Sequence, residues 1–353
     1  MHLENFTVKS SLKDYKVTYG ACELDSFVDV STDFLLVDRV VYHEYGDLFR
    51  GRLPNHRLVL IDAREQNKTA EYALQVIRKI MKVGITKKSR ILAFGGGIVQ
   101  DLSGFVSSIL YRGISWIFFP TTLLAQTDSC IGAKTSINLG AFKNLLGTFY
   151  NPTQVQIDVT FLDTLSIREY FSGMGEVVKL HLIGGQEFIT SIQSVLQMLL
   201  ERQRDSLLGV IHAALQIKKG YIEQDEFDRG IRNLLNYGHC IGHAIEFSSK
   251  FKIPHGQAVS IGMILANRIA RKRGELSESR CAELEGLIES FVEGALARLR
   301  IPVTKTIDAM KRDKKRTGKN LVVIYLSDVN GVVKNENVTV EEVTEILHEW
   351  NGK

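Results

Sequence analysis

The stretch Arg90–Asp101, RILAFGGGIVQD, decides how the first part of the chain folds. Its first five residues form a short, mostly apolar run typical of a buried strand, and three glycines separate this run from a segment that can begin a helix. The free N–H groups and the positive dipole at such a helix start suit the phosphates of a dinucleotide. The run lacks the G-x-G-x-x-G spacing, so a purely structural left-handed glycine turn is the alternative interpretation.

The pattern of apolar runs changes near residue 168. Before it, strand-length runs occur at Phe34–Asp38, Arg57–Asp62, Arg90–Phe94, Trp116–Phe119 and Val155–Asp158, with a helical stretch at Thr69–Val83. Strands that alternate with helices predict a parallel sheet. After it, helical stretches predominate, at Ile192–Glu201, Leu207–Gln224, Ala258–Lys272 and Ser277–Leu299, followed by a short strand at Leu321–Leu326. We therefore predict an α/β fold in which a Rossmann-like parallel-sheet domain (1–167) precedes a mainly α-helical domain (168–353).

Composition limits the function classes. The 353 residues are 44% hydrophobic, which suffices for a sizeable core, and the net charge of +4 is too small and too dispersed to predict a nucleic-acid partner. We expect no membrane span and no secretory signal, because no apolar run is long enough and the chain start lacks a basic and then apolar pattern. The four cysteines are widely spaced without a C-x-x-C motif, which predicts reduced thiols in a cytoplasmic protein.

Three histidines form a candidate metal site. His239 and His243 are four residues apart in Asn236–His243, so on a helix they lie one turn apart on the same face. His255, in the segment Pro254-His255-Gly256, is expected to reach that face from a following loop. Three imidazoles suit a divalent transition metal, above all zinc. The alternative is that His239 and His243 are ordinary core or capping histidines. Cys240 is not expected to be a ligand, because adjacent helical residues point in different directions.

Polar residues in apolar settings supply further candidates. Gly173–Lys179 places a carboxylate and an amine three residues apart, and Glu176 would complete a His₂Glu metal site with an open position. The alternative for Glu176 and Lys179 is an exposed surface ion pair. Asp38, at the end of a strand, is placed to bind ribose hydroxyls, although an ordinary helix cap is the alternative. Pro120–Lys134 and Phe142–Asn144 gather hydroxyls, a carboxylate and amines after an apolar strand.

Together these segments resemble the 3-dehydroquinate synthases, which belong to the sugar phosphate cyclase superfamily. The resemblance covers about Asp38 to Gly331 and rests on the joint order and spacing of several motifs. They are the glycine turn, PTTLLAQTDSCIGAK (120–134), FKN (142–144), SGMGEVVK (172–179), RNLLNYGHCIGHAIE (232–246), PHG (254–256) and RDKK (312–315).

The resemblance implies a role for each matching residue. The ligands of Zn²⁺ or Co²⁺ would be Glu176, His239 and His255. The residues that hold NAD would be Asp38, Glu65, Lys68, Gly96, Gly97, Asp101, Thr121, Thr122, Asp128, Lys143, Phe161 and Thr164. The substrate would be held by Lys134, Asn144, Lys179, Lys218, Arg232, Asn236, His243 and Lys314, with His243 also assisting proton transfer. Arg112 matches an arginine that reaches the substrate phosphate in the neighbouring subunit, which implies a homodimer.

The implied reaction converts 3-deoxy-D-arabino-heptulosonate 7-phosphate to 3-dehydroquinate and phosphate, a step of the shikimate pathway to aromatic amino acids. In this lyase NAD is catalytic: a substrate alcohol is oxidised, phosphate leaves by β-elimination, the hydride returns, and an aldol closure forms the carbocycle. A metal assists by lowering the pKa of the alcohol. A substrate that carries both phosphate and carboxylate suits the lysines, arginine and asparagine implied to surround it.

Several departures from the family pattern leave alternatives open. Asp228, near the implied substrate site, stands where the family has Glu; Gln257 replaces the Glu after His-Gly; and Gln100, Ala133 and Gly175 are further changes. One alternative is another sugar phosphate cyclase, of the 2-deoxy-scyllo-inosose or 2-epi-5-epi-valiolone synthase type, whose substrate lacks the carboxylate. Another is a metal-dependent polyol dehydrogenase of the glycerol dehydrogenase type, and a third is a catalytically silent scaffold protein. Arg232, Asn236 and Lys314 favour the carboxylate-bearing substrate.

Overall fold

The structure is a computed structural model that describes residues 3–140, 142–297, 299–311 and 320–352. The chain divides into two compact units, Met1–Leu165 and Ser166–Lys353. The strands are β1 Phe6–Val8, β2 Tyr15–Tyr19, β3 Phe34–Asp38, β4 Leu58–Ile61, β5 Arg90–Gly95, β6 Ser115–Pro120, β7 Lys134–Leu139, β8 Phe142–Phe149, β9 Gln154–Ile157, β10 Leu321–Ser327 and β11 Gly331–Val338. The helices are α1 Arg39–Glu44, α2 Gly46–Phe49, α3 Ala70–Val83, α4 Gly97–Ile109, α5 Ile167–Gly184, α6 Gln186–Ser194, α7 Leu196–Leu200, α8 Arg204–Gln224, α9 His239–Ser248, α10 His255–Lys272, α11 Glu278–Glu289, α12 Gly294–Ala297, α13 Val303–Lys311 and α14 Val340–Asn351.

The first unit is built on a seven-stranded sheet. Its strand order is β1-β2-β9-β6-β5-β3-β4, and every pairing is parallel except that of β1 with β2. All five predicted strands are present, and the predicted helix is α3. The prediction of a Rossmann-like parallel sheet is confirmed. The amphipathic helix α3 of this unit begins after its N-cap Thr69, whose side chain accepts a hydrogen bond from the Tyr72 N–H. It ends at Gly84, which has left-handed backbone angles.

The centre of this sheet is apolar on both faces. Phe94 on β5 stacks on Phe119 on β6 with ring centroids 4.1 Å apart, and both side chains are fully buried. Strands buried on both faces read as continuous apolar runs, which is why their positions could be predicted. The parallel pairing brings the carboxyl ends of β3 and β5 to one edge, where Asp38 and the glycine turn follow them.

The second unit is largely helical, as predicted, with the antiparallel pair β10–β11. Two predicted helices are wrong in extent. The helix predicted at Ile192–Glu201 is two helices, α6 and α7, separated at Val195. The helix predicted at Ser277–Leu299 ends at Glu289, and α12 follows after a turn. None of the helices that the structure describes is long and apolar enough to cross a membrane.

The strands that the sequence analysis missed are short, polar or at edges. They are β1, β2, β7, β8 and β11. Six consecutive residues of β8 are exposed, so the strand lacks the apolar alternation that marks a half-buried strand. The β7–β8 pair bears directly on the candidate site, because it carries Lys134, Lys143 and Asn144.

Candidate active site

Three helices of the second unit bring the predicted metal ligands together. Glu176 lies in the middle of α5, His239 begins α9 with His243 one turn later, and His255 is the first residue of α10. The expectation that His255 comes from a loop is therefore wrong: Pro254 is the N-cap, and the helix begins at the histidine. A side chain in the first turn of a helix is held by regular backbone, which positions it more firmly than a loop would.

Glycines allow these helices to approach closely. A Cβ atom on Gly175 would lie 2.3 Å from the Gly256 carbonyl oxygen, and one on Gly262 would lie 2.2 Å from the Gly238 carbonyl oxygen. Both distances are far shorter than van der Waals contact. Gly175 precedes Glu176 and Gly238 precedes His239, so these backbone contacts fix the separation of the ligand-bearing helices. Glycine at 175, noted above as a departure from the family pattern, follows from this packing.

The ligand atoms converge on one point. One ring nitrogen from each of His239, His243 and His255 lies within 4.8 Å of the other two. Glu176 Oε1 is 3.7 Å from His239 Nε2 and 3.4 Å from His255 Nε2. Two or three imidazole nitrogens with one carboxylate oxygen are the donor set that Zn²⁺ and Co²⁺ accept in catalytic sites. This convergence favours a metal site over the alternative of ordinary core or capping histidines.

The far side of each converging side chain is also held. His239 Nδ1 donates to the Tyr237 carbonyl at 3.1 Å, and His255 Nδ1 is 3.1 Å from Glu246 Oε2. Since carbonyl and carboxylate oxygens accept, both rings carry hydrogen on Nδ1 in these contacts. Lys179 Nζ lies 2.5 Å from Glu176 Oε2. The Nε2 atoms of both histidines and Oε1 of Glu176 are therefore directed at the common point.

Burial and nearby charges shift the pKa values of His239 and His255 in opposite directions. Burial, reinforced by the Lys179 ammonium and the other two imidazoles, lowers the pKa of His239 well below its usual value. Burial also acts to lower the pKa of His255, but hydrogen bonds to Glu176 and Glu246 more than offset it and raise that pKa to about 10. His239 thus offers a neutral imidazole. His255 lies between two carboxylates and carries an extra proton, and a metal cation could take the place of that proton.

The pair formed by Glu176 and Lys179 is buried. Their side chains are 0% and 2% exposed, so the alternative of a surface ion pair is wrong. Lys179 was predicted to hold the substrate, and the structure places its ammonium beside a predicted metal ligand.

Gln257 shows why an amide stands after His-Gly. Its Nε2 donates to the carbonyls of Phe171 and Phe291 at 2.9 and 2.7 Å, and its Oε1 accepts from the Glu293 N–H at 2.9 Å. A carboxylate has no hydrogen to donate to those two carbonyls. Gln257 therefore connects the first turn of α10, which carries His255, to the main chain of Phe171, Phe291 and Glu293.

The glycine turn of the first unit runs from β5 into α4 as predicted. None of its three glycines has a positive φ, so the alternative of a left-handed structural turn is wrong. Gly95 and Gly96 are packed, since added Cβ atoms would lie 2.4 Å from Val99 and 2.9 Å from Thr122, whereas at Gly97 the nearest atom is Ser129 Oγ at 3.8 Å. Gly97 is thus less crowded than Gly95 and Gly96, and it begins a 13-residue helix, whose free N–H groups could meet a phosphate.

Gln100 replaces a small residue in this turn and makes a specific contact. Its amide donates to the Ser129 carbonyl, and its Oε1 accepts from Ser129 Oγ at 2.5 Å. Ser129 follows Asp128 in a five-residue π-helical turn. Gln100 thus links the glycine-turn helix to the segment that carries Asp128.

A polar network joins several residues predicted to hold NAD. Lys68, 5% exposed, forms an ion pair with Asp101. Burial raises the pKa of Asp101, and the contacts with Lys68 and Ser136 oppose that shift. Two further residues of this predicted set also form a pair, since Glu65 Oε1 is 3.9 Å from Lys143 Nζ.

The network also fixes the orientation of Asn144. Its Oδ1 accepts from Lys68 Nζ at 2.6 Å and from Ser136 Oγ at 3.0 Å, which leaves Nδ2 as the group that can donate to a ligand. Its backbone, at φ +51°, is held by Asn138 Oδ1, which accepts the Asn144 N–H at 2.9 Å. Asn138 also donates to Glu65 Oε1 at 2.8 Å.

The sequence analysis missed Ser136 and Asn138 as members of this site. The available signal was the alternation on β7, where Lys134, Ser136 and Asn138 share one face while the intervening Thr135 and Ile137 are buried.

The remaining residues predicted to hold NAD occupy varied settings. Asp38 Oδ1 accepts from the Val40 N–H at 2.9 Å, so it caps α1 as the alternative interpretation had it. Thr121 is buried and Thr122 half-buried just after β6. Phe161 packs its ring against Phe94 and Tyr45 in the core, which leaves its main chain as the part that can meet a ligand. Thr164 is exposed, with Oγ1 3.1 Å from the Tyr45 hydroxyl.

The predicted substrate residues of the second unit include Arg232 and Asn236 on one 3₁₀ helix, Ile231–Asn236. Arg232 is 4% exposed and donates to the Glu226 carbonyl. The preceding loop is held by Asp225, which accepts the N–H groups of residues 229, 230 and 232; these hydrogen bonds outweigh burial and lower its pKa. Asp228 lies in this loop at φ +57°, a conformation that Asp adopts more readily than Glu.

Other predicted substrate residues are distributed over both units. Lys218 is buried on α8, Lys134 is exposed at the start of β7, and Arg112 is exposed at φ +63°. His243 is exposed, unlike His239. Lys314 lies outside the described residues.

Comparison with known proteins identifies the family. The sequence profile of the 3-dehydroquinate synthase N-terminal domain matches residues 58–172, and that of the C-terminal domain matches residues 173–316. The chain belongs to the 3-dehydroquinate synthase family. The 3-dehydroquinate synthase of Dictyoglomus turgidum is 35% identical over 98% of this chain and 98% of its own length. That of Clostridium tetani is 37% identical over 94% of this chain and 89% of its own length.

Solved structures extend the family likeness to related folds. The 2-epi-5-epi-valiolone synthase from Streptomyces hygroscopicus subsp. jinggangensis 5008 was solved with NAD⁺ and Zn²⁺ bound. It is 25% identical to the present chain and has a TM-score of 0.85. The match covers 98% of the present chain and 99% of the synthase chain. Glycerol dehydrogenase from Schizosaccharomyces pombe has a TM-score of 0.66 at 14% identity, over 95% and 88% of the two chains, and shows a shared fold alone.

Proposed function

We propose that this chain is a 3-dehydroquinate synthase that converts 3-deoxy-D-arabino-heptulosonate 7-phosphate to 3-dehydroquinate and phosphate, with NAD and Zn²⁺ or Co²⁺ as cofactors. The observation that carries the proposal is the convergence of Glu176, His239, His243 and His255, in a chain that matches a 3-dehydroquinate synthase over 98% of that relative's length. The decisive assay incubates the protein with that substrate, NAD⁺ and Zn²⁺ or Co²⁺, follows phosphate release and identifies the product. Absence of turnover with every cation would contradict the proposal.

The two units have separate roles in this proposal. The first unit would bind NAD through Gly96 and Gly97 at the helix start and through the network of Lys68 and Asp101. The second unit would bind the metal through Glu176, His239 and His255. It would also bind most of the substrate. NAD accepts and returns a hydride when bound, and the metal supplies Lewis acidity at a substrate oxygen.

The side chains of the protein position anions and move protons. Lys179, Lys218 and Arg232 are buried cations, which suits a substrate that carries both phosphate and carboxylate. Asn144 would donate through the Nδ2 group that its network leaves available. His243, exposed beside the two ligand histidines, would take and return a proton at the substrate.

A homodimer in the cytoplasm completes the proposal. Arg112, exposed at the turn after α4, would contact the substrate phosphate of the neighbouring subunit. The four cysteines are free thiols, which supports a reducing compartment.

NAD⁺ should be needed only in catalytic amounts. We expect phosphate release to continue long after one turnover per NAD⁺, with no net rise in NADH absorbance, because the oxidation and the reduction occur within one cycle. Both signals are measured in the same reaction. Stoichiometric NADH formed from glycerol or another simple polyol would instead favour a dehydrogenase of the glycerol dehydrogenase type.

Arg232→Ala tests the choice among sugar phosphate cyclases, which the 2-epi-5-epi-valiolone synthase likeness makes necessary. Removing one partner of a buried charged hydrogen bond costs about 2–5 kcal/mol. We therefore expect kcat/KM for the heptulosonate phosphate to fall roughly 30-fold or more, since about 1.4 kcal/mol corresponds to tenfold. Metal and NAD affinity should not change.

Arg229→Ala is the matched control for Arg232→Ala. Arg229 lies in the loop just before the 3₁₀ helix of Arg232, but it is exposed, and its Cζ is 5.8 Å from the centroid of the Phe227 ring. Its replacement should leave kcat/KM within a few fold. Faster wild-type turnover of sedoheptulose 7-phosphate or glucose 6-phosphate, together with an unaffected Arg232→Ala variant, would assign the chain to another cyclase.

A further inference from the structure

Glu246 lies on the face of α9 that carries two of the converging histidines. It follows His239 by seven residues and His243 by three, which is the spacing of one helix face. Its side chain is 12% exposed, and its Oε2 is 3.1 Å from His255 Nδ1. The proposed ligand set does not include Glu246.

The contact determines which nitrogen of His255 faces the common point. An imidazole has two nitrogens, and rotation of the ring by half a turn exchanges their positions. A carboxylate that accepts from Nδ1–H holds the ring in one orientation and the neutral ring in one tautomer. Nε2 then faces Glu176 Oε1, at 3.4 Å. A carboxylate behind a histidine ligand also increases the electron density that the ring donates to a metal.

We propose that Glu246 is a positioning residue for the metal, which acts through His255 by fixing its ring orientation and its Nδ1–H tautomer. The proposal rests on the metal-dependent function given above. It assigns to α9 two tasks: one turn supplies the ligand His239, and the last turns supply the carboxylate that orients the ligand at the start of α10.

A purely structural role is the competing explanation. The contact also connects α9 to the start of α10, so its loss could lower stability without affecting the metal. The two explanations differ in their readouts. A positioning role changes the Zn²⁺ affinity of the folded protein, whereas a structural role changes the melting temperature of the metal-stripped protein and leaves that affinity unchanged.

The test compares Glu246→Gln and Glu246→Ala with the wild type in the full chain. Zn²⁺ affinity is measured by competition with a chelator, and visible absorption of the Co²⁺-loaded protein reports ligand geometry. We expect the Zn²⁺ dissociation constant to rise about tenfold in Glu246→Gln and up to about 100-fold in Glu246→Ala, the range for second-layer partners of metal ligands. The Co²⁺ bands should change in both variants.

Glu285→Gln is the matched control. Glu285 has a similarly buried carboxylate in the same unit, 16% exposed, but it pairs with Arg268 at 2.7 Å. Its replacement should lower the melting temperature and leave Zn²⁺ affinity and the Co²⁺ spectrum unchanged.

The outcomes separate this proposal from the one on which it rests. Wild-type Zn²⁺ affinity in both Glu246 variants, with loss of binding in His255→Ala, would overturn the role of Glu246 and leave the metal site intact. A wild-type chain that binds neither Zn²⁺ nor Co²⁺ would overturn the metal-dependent function and this inference together. A lower melting temperature at unchanged Zn²⁺ affinity would assign Glu246 a structural role only.

Discussion

His239→Ala and His255→Ala are each expected to remove the metal and abolish phosphate release. Each imidazole directs Nε2 at Glu176 Oε1, and its Nδ1 is held on the other side by a carbonyl or a carboxylate oxygen. Removing one of three protein ligands should cost more than the roughly 10–100-fold in affinity that a second-layer change costs. Metal content after gel filtration and phosphate release measure both effects. A chelator should likewise inactivate the wild type, and added Zn²⁺ or Co²⁺ should restore it.

Two further histidine variants sharpen this test. His243→Ala should keep its metal and lose turnover, because His243 is exposed and is assigned to the substrate rather than to the metal. His212→Ala, on α8 and outside the cluster, should keep both. Full metal occupancy in His239→Ala and His255→Ala would contradict the ligand assignment. Loss of metal from His243→Ala would instead make His243 a ligand.

The sequence predicts the central strands because their side chains repeat a simple pattern. Phe34–Asp38 and Arg90–Phe94 are apolar on both faces, and β3 and β5 lie there. The β7–β8 pair escaped prediction because the exposed residues of β8 provide no alternation. Its partner β7 does alternate, so Ser136 and Asn138 could have been found.

The alternatives that the structure overturned depend on tertiary contacts rather than on the spacing of residues in the sequence. The spacing of Glu176 and Lys179 is the same in a surface pair and in a buried pair, and only packing by other helices distinguishes the two. Likewise, the glycines at 95 and 96 are explained by the side chains of Val99 and Thr122, not by a positive φ. Tertiary contacts of this kind are not encoded in local spacing.

Glu246 illustrates a signal that was present but not used. Its seven-residue distance from His239 places it on the ligand face of α9. What the sequence does not give is the partner, because His255 belongs to another helix whose approach depends on Gly238 and Gly262. Residue faces are therefore predictable here, and contacts between helices are not.

Lys179→Met should strongly destabilise the metal-stripped protein. The substitution keeps an unbranched apolar side chain but removes the ammonium 2.5 Å from Glu176 Oε2, where both side chains are almost completely buried. Breaking a buried ion pair by removing one partner costs about 3–5 kcal/mol when the remaining charge is left uncompensated. The proton on His255, whose Nε2 is 3.4 Å from Glu176 Oε1, should offset part of this loss. The free energy of unfolding from urea denaturation measures this loss. Lys219→Met is the control, since Lys219 is 25% exposed and 3.8 Å from Glu223; it should cost less than about 1 kcal/mol.

Zn²⁺ should restore much of the stability that Lys179→Met loses. A cation bound by His239 and His255 would supply positive charge to Glu176 in place of the ammonium, and a ligand that binds only the folded state stabilises it in proportion to the logarithm of its concentration. Zn²⁺ should therefore raise the free energy of unfolding of Lys179→Met by more than it raises that of the wild type. In Glu176→Gln/Lys179→Met both charges are absent, so the metal-stripped protein should regain stability relative to Lys179→Met, but Zn²⁺ should no longer stabilise it. Equal zinc effects in all three proteins would show that Glu176 is not a ligand and that its carboxylate serves only the pair with Lys179.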